Sequence, residues 1–185
     1  MSHISLDCTL CGTPHDNSMS LLHCRKCDSP LEVVYRPSAF GFPTGQPSSL
    51  VKPTIPLPLH DRDCLVSLGE GDTPCVELPS LANILGIRLL LAKLEFMNPT
   101  GSFKDRGTAV MMSVAREQGK FEVVQDSSGN AGASVAAYAA KAGIKAHVFV
   151  PADAPEAKVQ QIKVYGAQTH SVEGTREAAT DAAVA

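Results

Sequence analysis

The arrangement of apolar and polar positions divides the chain into two parts with different rhythms. From about residue 68, short apolar runs alternate with longer stretches that have helical spacing. The first 35 residues hold one clear strand-like run, at residues 31–35. Alternation of strands and helices is typical of crossover units around a parallel sheet. We therefore predict an α/β fold for residues 68–185, a parallel sheet with helices on both faces.

End signals place the elements of this second part. A Ser or Asn can cap the first turn of a helix, and Gly favours the left-handed conformation that ends one. These signals predict one helix from Ser102 to Gly119 and an Ala-rich helix from Asn130 that ends at Gly143. The remaining predicted elements are strands at 87–92, 122–125, 145–150 and 168–172, and helices at 156–165 and from 175 onward.

The segment that joins the two parts is rich in proline, with seven prolines between residues 30 and 58. Proline at this density is unfavourable for both helices and central strands. The sequence therefore predicts three units, a small N-terminal module over 1–35, an extended linker over 36–67 and an α/β domain over 68–185.

Four of the six cysteines form two C-x2-C pairs separated by twelve residues: Cys8, Cys11, Cys24 and Cys27. Each pair can hold one side of a tetrahedral metal, and the gap is long enough for a hairpin. We predict a zinc ribbon with four thiolate ligands. Such a site has no open coordination position, so its Zn²⁺ is expected to be structural. Disulfides or free thiols are the alternative, and the absence of a secretory signal makes disulfides the weaker choice.

Other candidate ligands near the ribbon are interpreted as ordinary side chains. His3, His15 and His23 are predicted to be surface residues, because four thiolates already complete a ligand set. Cys64 and Cys75 are predicted to be small packed side chains rather than nucleophiles.

Composition limits the classes of partner. The net charge is −3 and the isoelectric point is about 6.0, which gives no bulk attraction to nucleic acid or to an anionic membrane. Arg25 and Lys26 alone are a weak indication of nucleic-acid binding. No apolar run approaches the ~20 residues needed to cross a bilayer, and the N-terminus does not resemble a signal peptide. We expect a cytoplasmic protein without membrane or nucleic-acid partners.

Lys104 is the first candidate for chemistry. It lies in the sequence Asn-Pro-Thr-Gly-Ser-Phe-Lys-Asp-Arg-Gly, at the predicted start of a helix. The positive end of a helix and burial both disfavour a cation, and they would leave more neutral amine to attack an aldehyde. Asp105 and Arg106 could pair with each other or with neighbouring elements. A solvated helix start is the alternative interpretation.

Two further segments complete the candidates. The loop Asp-Ser-Ser-Gly-Asn-Ala-Gly at residues 126–132 joins a strand to a helix, where α/β sheets bind ligands and where N–H and O–H groups can hold an anion. Gly129 and Gly132 would let the backbone approach a ligand closely. A tight turn with a helix cap is equally compatible with this loop. The segment Gly-Glu-Gly-Asp-Thr-Pro at 69–74 is predicted to be a turn, although Glu70 or Thr73 could face a cleft.

Together these segments resemble the threonine synthases, within the fold type II pyridoxal-phosphate enzymes. The resemblance is carried by residues 98–107, 127–143 and 69–74, and some threonine synthase-like proteins also begin with a zinc ribbon. It implies that a small amino acid is the substrate, that O-phospho-L-homoserine and water become L-threonine and phosphate, and that the complete protein is a homodimer.

The resemblance also implies roles for individual residues. Lys104 would hold pyridoxal 5'-phosphate as a Schiff base and move protons, Asn130 would bond the cofactor's phenolic oxygen, and Phe103 would border the ring. The implied substrate-binding positions are Ser127, Ser128, Gly129 and Thr73.

Three alternatives to this function stay open at the level of sequence. Another fold type II lyase, such as a serine/threonine dehydratase or a β-eliminating ammonia-lyase, has similar motifs. A zinc-ribbon adaptor that binds nucleic acid or protein is more distant, and a nucleotide-dependent oxidoreductase lacks its Gly-rich loop. The family's Gly-rich loop for the cofactor phosphate has no counterpart after Val172, so we expect the chain to be truncated and inactive alone.

Overall fold

The computed structural model describes residues 4–15, 21, 23–35 and 57–185. Its N-terminal module is a three-stranded antiparallel sheet in the order β2-β1-β3, made of β1 (Ile4–Cys8), β2 (Pro14–His15) and β3 (Leu31–Tyr35). Alternate residues of β1 are buried, since successive side chains of a strand point to opposite faces. The strand predicted at 31–35 is confirmed as β3.

Residues 36–56 of the predicted linker lie outside the described residues. The described end of the predicted linker, residues 57–67, packs along α2 (Lys104–Glu117). Backbone N–H groups of His60 and Asp61 donate to Glu117 Oε1 at 2.8 and 2.6 Å. The buried Val66 donates its N–H to Ser113 Oγ at 2.8 Å, so this part of the chain is anchored to the α/β region.

A two-stranded antiparallel sheet precedes α2. It consists of β4 (Cys75–Glu77) and β5 (Leu91–Lys93), with α1 (Pro79–Ile84) between them. The strand predicted at 87–92 was therefore placed too early and was wrongly expected to belong to the parallel sheet. The cause is the end of α1, where Gly86 has a φ of 66° and the N–H of Ile87 bonds back to the carbonyl of Ala82.

The remaining chain forms the predicted α/β unit. Its sheet is parallel in the order β6-β7-β8, with β6 (Glu122–Gln125), β7 (Lys145–Pro151) and β8 (Gln168–Val172). The helices α3 (Asn130–Ala142), α4 (Glu156–Val164) and α5 (Arg176–Val184) follow these strands in turn. These strands and helices confirm the fold class predicted from the alternating pattern, with boundaries that differ by one or two residues.

The core lies between α2, α3, α4 and the sheet. Eight consecutive residues of α3, from Gly132 to Ala139, are buried, as its Ala-rich composition predicts. On β7 the buried positions alternate, and Val148 and Val150 pack with Ile162 of α4. Within the described residues, no helix combines the length and the apolar character needed to cross a membrane.

Candidate active site

Lys104 is the first residue of α2 and follows a sharp turn. Gly101 has a φ of 85°, a conformation that favours glycine, and its N–H donates to the Asn98 carbonyl at 2.8 Å. Ser102, which the sequence indicated as the cap, lies one residue before the observed cap position at Phe103, yet its hydroxyl oxygen accepts the Lys104 N–H at 3.3 Å. The amine is therefore carried by a hydrogen-bonded turn rather than by a loose loop.

The Lys104 side chain is exposed in this chain. Its Nζ lies 4.6 Å from the centroid of the Phe103 ring, which is itself 56% exposed. The burial that would favour a neutral amine is thus not provided by the residues described. Among those residues the amine has no hydrogen-bond or ion-pair partner.

Asn98 anchors the beginning of the turn. It is 4% exposed, and its Oδ1 accepts the N–H of Gly71 at 3.0 Å. Its Nδ2 donates to the carbonyl oxygen of Glu95 at 2.8 Å. All these partners lie before α2, so Asn98 joins the lysine turn to the β4–β5 region.

Asp105 anchors the end of the turn and also reaches α3. Its carboxylate is fully buried and accepts the Thr100 N–H at 2.7 Å, the Thr100 hydroxyl and the Ser134 hydroxyl at 2.7 Å. Asp105 adjoins Lys104, and Ser134 lies one helical turn after Asn130. Because these two side chains are in contact, the starts of α2 and α3 lie side by side. The structure therefore brings together the lysine turn and the asparagine loop that the sequence identified separately.

Asn130 begins α3, and its side chain is exposed. Its Oδ1 accepts a hydrogen bond from Nζ of Lys158 on α4 at 3.0 Å. A lysine ammonium can only donate, so this contact assigns the oxygen to Lys158, and the Asn130 Nδ2 makes no hydrogen bond within the described part of the chain. The sequence analysis missed Lys158. Its position in the first turn of a predicted helix carried no signal that it would face another helix.

The loop before α3 is half-buried at Ser127, Ser128 and Gly129. Ser127 Oγ accepts the Gly129 N–H at 3.3 Å. Gly132 was expected to make room for a ligand, and this expectation was wrong: a Cβ there would lie 1.9 Å from the Ser127 carbonyl oxygen. The close approach is between two parts of the protein's own backbone.

Thr73 belongs to a different cluster. Its hydroxyl donates to Glu95 Oε1 at 3.0 Å, and Arg106 donates to both Glu95 carboxylate oxygens at 2.7 Å. The Arg106 guanidinium lowers the pKa of Glu95 from 4.5 to about 2, helped by hydrogen bonds from Thr73 and Asn98. Since the Thr73 hydroxyl is used within the protein, its geometry does not support the substrate-binding role predicted for it.

Glu70 is also structural, as the turn interpretation of residues 69–74 predicted. It is 1% exposed and accepts hydrogen bonds from the Tyr138 hydroxyl at 2.7 Å and from the Leu68 N–H at 3.0 Å. Burial, reinforced by the Glu70 carboxylate, raises the pKa of Tyr138.

The four ribbon cysteines form a compact cluster. Their Sγ atoms all lie within 4.8 Å of one another: Cys8, Cys11, Cys24 and Cys27. No disulfide joins them, and the backbone N–H groups of Leu10, Cys11 and Lys26 donate to the sulfurs of Cys8 and Cys24. Such N–H···S contacts favour thiolates, so the cluster fits a tetrahedral metal ion.

The other candidates near the ribbon behave differently from one another. His15 is not a free surface residue as predicted, because it is half-buried with Nε2 3.3 Å from Cys24 Sγ. His23 is exposed as predicted, and His3 lies outside the described residues. Cys64 is half-buried, whereas Cys75 is exposed and so is not the packed side chain expected.

Comparison with known proteins decides the family. Residues 66–185 match the family described as pyridoxal-phosphate dependent enzyme. The chain belongs to the pyridoxal-phosphate dependent enzymes. The match begins at buried Val66 and includes the lysine turn, the asparagine loop and the whole parallel sheet.

Several relatives of this pyridoxal-phosphate dependent enzyme are threonine synthases. The protein from Methanosarcina acetivorans is 37% identical over 174 residues, which cover 91% of this chain and 42% of the relative. The protein from Methanocaldococcus jannaschii is 36% identical over 182 residues, 94% of this chain and 44% of the relative. The protein from Bacillus sp. is 41% identical over 119 residues, 64% of this chain and 34% of the relative. The chain thus spans less than half the length of these relatives.

Solved structures of fold type II enzymes resemble part of this chain. Maize serine racemase matches with a TM-score of 0.55 and 33% identity, over 60% of this chain and 34% of the racemase. Threonine deaminase isoform 2 from Solanum lycopersicum matches with a TM-score of 0.55 and 26% identity, over 60% of this chain and 31% of the deaminase. These neighbours confirm the fold and leave the reaction type open.

Proposed function

We propose that this chain supplies the lysine and asparagine of a threonine synthase, which converts O-phospho-L-homoserine and water into L-threonine and phosphate. The observation that carries the proposal is the Lys104 amine, which has no hydrogen-bond or ion-pair partner among the described residues and lies on a hydrogen-bonded turn beside the start of the Asn130 helix. The names of the relatives and the lysine motif at 98–107 favour this reaction.

The donor set suits pyridoxal 5'-phosphate. An unpaired primary amine is the group that bonds an aldehyde covalently, and the Lys158 contact leaves Asn130 Nδ2 to donate to a phenolic oxygen. Phe103, which already lies under the Lys104 ammonium, would border the ring. Bound pyridoxal phosphate supplies the electron sink that makes the α proton of an amino acid removable.

In this proposal each residue of the site has its own role. Lys104 would hold the cofactor through Nζ, and once the substrate amine had displaced it there, the freed Nζ would accept the α proton of the substrate. Asn130 orients the cofactor ring. The Ser127 and Ser128 hydroxyls bind the substrate carboxylate at the positive end of α3, and the Gly129 N–H joins them by exchanging its contact with Ser127 Oγ for the carboxylate. Thr73 acts indirectly, by holding Glu95 and Arg106.

The second candidate is a related lyase, such as a serine/threonine dehydratase or a β-eliminating ammonia-lyase. The structural similarity to a serine racemase and a threonine deaminase supports this second candidate. The two candidates differ in product, because a threonine synthase releases phosphate from O-phosphohomoserine, whereas a dehydratase forms a keto acid from serine or threonine. A nucleic-acid or protein adaptor is a distant third, since the net charge is −3.

The test uses the complete protein with added pyridoxal phosphate. We expect a visible absorption band that borohydride fixes on the peptide containing Lys104, and phosphate release from O-phosphohomoserine. Lys104→Ala should remove both signals, whereas Lys141→Ala, at the other end of α3, should keep them. A complete protein that stays colourless would overturn the enzymatic assignment, and keto-acid formation without phosphate release would favour the second candidate.

Three further assignments belong to the same proposal. The four ribbon thiolates bind one structural Zn²⁺, the enzyme is cytoplasmic, and the complete protein is a homodimer. Sedimentation of the complete protein should give twice the mass of one chain, and a monomer would contradict that part.

A further inference from the structure

We infer that Asp105 is a positioning residue for Lys104. Its buried carboxylate couples the turn that carries the amine to α3, and so holds Lys104 and Asn130 in a constant relative placement. This inference rests on the proposed function, and it adds a residue to which the sequence resemblance gave no role.

The contacts of Asp105 all lead to the site. The carboxylate is 0% exposed and accepts three hydrogen bonds, two from Thr100 and one from Ser134. A buried carboxylate without hydrogen-bond donors is strongly unfavourable, so breaking any of these three hydrogen bonds would cost free energy. The side chain adjacent to Lys104 therefore fixes the turn before the lysine and the first turn of the neighbouring helix at the same time.

Thr100 is hydrogen-bonded both to Asp105 on α2 and to Gln161 on α4. Its N–H and hydroxyl donate to Asp105, and its carbonyl oxygen accepts Nε2 of Gln161 on α4 at 3.3 Å. Asn130 is in turn bonded to Lys158, one turn before Gln161 on the same helix. The lysine turn and the asparagine thus share α4 as a second common support, and Asp105 provides the direct connection between their helices.

Ser113 on α2 offers a matched control for Ser134, because it is a second buried serine whose hydroxyl is hydrogen-bonded. Ser113 is also 0% exposed, and its hydroxyl donates to the Ala109 carbonyl and accepts the Val66 N–H. It lies nine residues beyond Lys104, and within the described residues its hydroxyl makes hydrogen bonds to Ala109 and Val66 and none to residues 98–105 or to α3. Ser113→Ala and Ser134→Ala remove the same group from equally buried positions, and only Ser134→Ala breaks the link to Asp105.

The experiment compares Ser134→Ala, Thr100→Val and Ser113→Ala in the complete protein. The first readout is amide hydrogen exchange of residues 100–105 without cofactor, measured at matched global stability. We expect exchange to accelerate about tenfold in Ser134→Ala and Thr100→Val and to stay unchanged in Ser113→Ala, since the loss of one hydrogen bond to a charged group corresponds to a factor of about ten.

The second readout is the dissociation constant of pyridoxal phosphate and the position of its absorption band at saturation. We expect about tenfold weaker binding and a shifted band in the two site variants, and neither change in Ser113→Ala. Ser134→Ala and Ser113→Ala could both lower the melting temperature and leave hydrogen exchange and cofactor binding unchanged. In that case Asp105 would be merely structural and the inference would be wrong.

Failure of the proposed function gives a different result. In that case the unsubstituted protein binds no pyridoxal phosphate, while hydrogen exchange still reports whether Asp105 couples the turn to α3. Unchanged exchange at residues 100–105 in both site variants would overturn the inference by itself.

Discussion

A Cβ atom at Gly132 would lie 1.9 Å from the carbonyl oxygen of Ser127 and 3.0 Å from Cδ1 of Ile162. A backbone oxygen cannot move away as the end of a flexible side chain can. We therefore expect Gly132→Ala to displace the 127–129 loop from α3. The free energy of unfolding should fall by roughly 1–3 kcal/mol, as for other overpacked core sites, and cofactor binding should weaken with it. Urea unfolding and a pyridoxal phosphate titration measure the two effects.

Gly107→Ala is the control for this substitution. Gly107 is exposed on α2, and a Cβ there meets nothing within 4 Å. Alanine is the better helix former, so we expect the free energy of unfolding to rise by about 0.5–1 kcal/mol. Equal losses in both variants would contradict the steric explanation at Gly132.

The parallel sheet and its helices could be predicted from sequence because each strand is a short apolar run and each helix has an end signal. The Ala-rich stretch at 130–142 is the clearest case, since its lack of polar surface required burial. The β4–β5 hairpin could not be predicted in the same way. Its strands have three residues each, and the turn after α1 uses apolar residues that resemble a strand.

The site could be predicted only as two separate segments. Lys104 and Asn130 stood out through the motifs at 98–107 and 127–143, because an Asn at a helix start is by itself an ordinary cap. Nothing in the local sequence indicated that Asp105 would bond Ser134, 29 positions later, or that Lys158 would bond Asn130, 28 positions earlier. Such contacts depend on helix packing, which periodicity does not specify. The exposure of Lys104 likewise depends on what surrounds the turn in three dimensions.

Glu95 should make stability depend on acid pH. Its folded-state pKa is about 2, below the ordinary 4.5, because Arg106 donates to it. The stabilisation is therefore fully present above pH 4.5 and is lost as the pH falls from 4.5 towards 2. The pair is about 30% exposed, so we expect Glu95→Gln to lower the free energy of unfolding at pH 7 by about 1–2 kcal/mol. The difference between the two proteins should shrink below pH 4.5 in denaturant titrations.

Glu122→Gln tests whether an exposed ion pair contributes as much to the free energy of unfolding as the Glu95–Arg106 pair does. Glu122 pairs with Lys145 at 3.1 Å, and their side chains are 41% and 72% exposed. Exposed pairs contribute about 0–1 kcal/mol, so this variant should be nearly neutral at pH 7. A loss as large as that of Glu95→Gln would show that burial of the pair is irrelevant.

The ribbon cysteines should bind one metal ion per chain. We expect Cys24→Ser to reduce the zinc content and to unfold the 4–35 module, because a small module of this kind depends on its metal for folding free energy. His15→Ala should keep one zinc and weaken its affinity roughly 10–100-fold, since His15 Nε2 contacts the sulfur of Cys24 without being needed as a fourth ligand. Elemental analysis and competition with a chelator separate the two outcomes. Complete loss of zinc in His15→Ala would instead make His15 a ligand.

Lys158 should control the orientation of the Asn130 amide. Its ammonium holds Oδ1 at 3.0 Å, so Lys158→Met would let the amide rotate and turn its donor away from the cofactor. Both side chains are exposed, so we expect only about two- to fivefold weaker binding of pyridoxal phosphate. Lys163→Met, an equally exposed lysine on the same helix, should leave binding unchanged. In an Asn130→Ala background the Lys158 substitution should have no further effect, because the group that it orients is gone. An undiminished effect there would mean that Lys158 acts on the ligand through its charge and does not position Asn130.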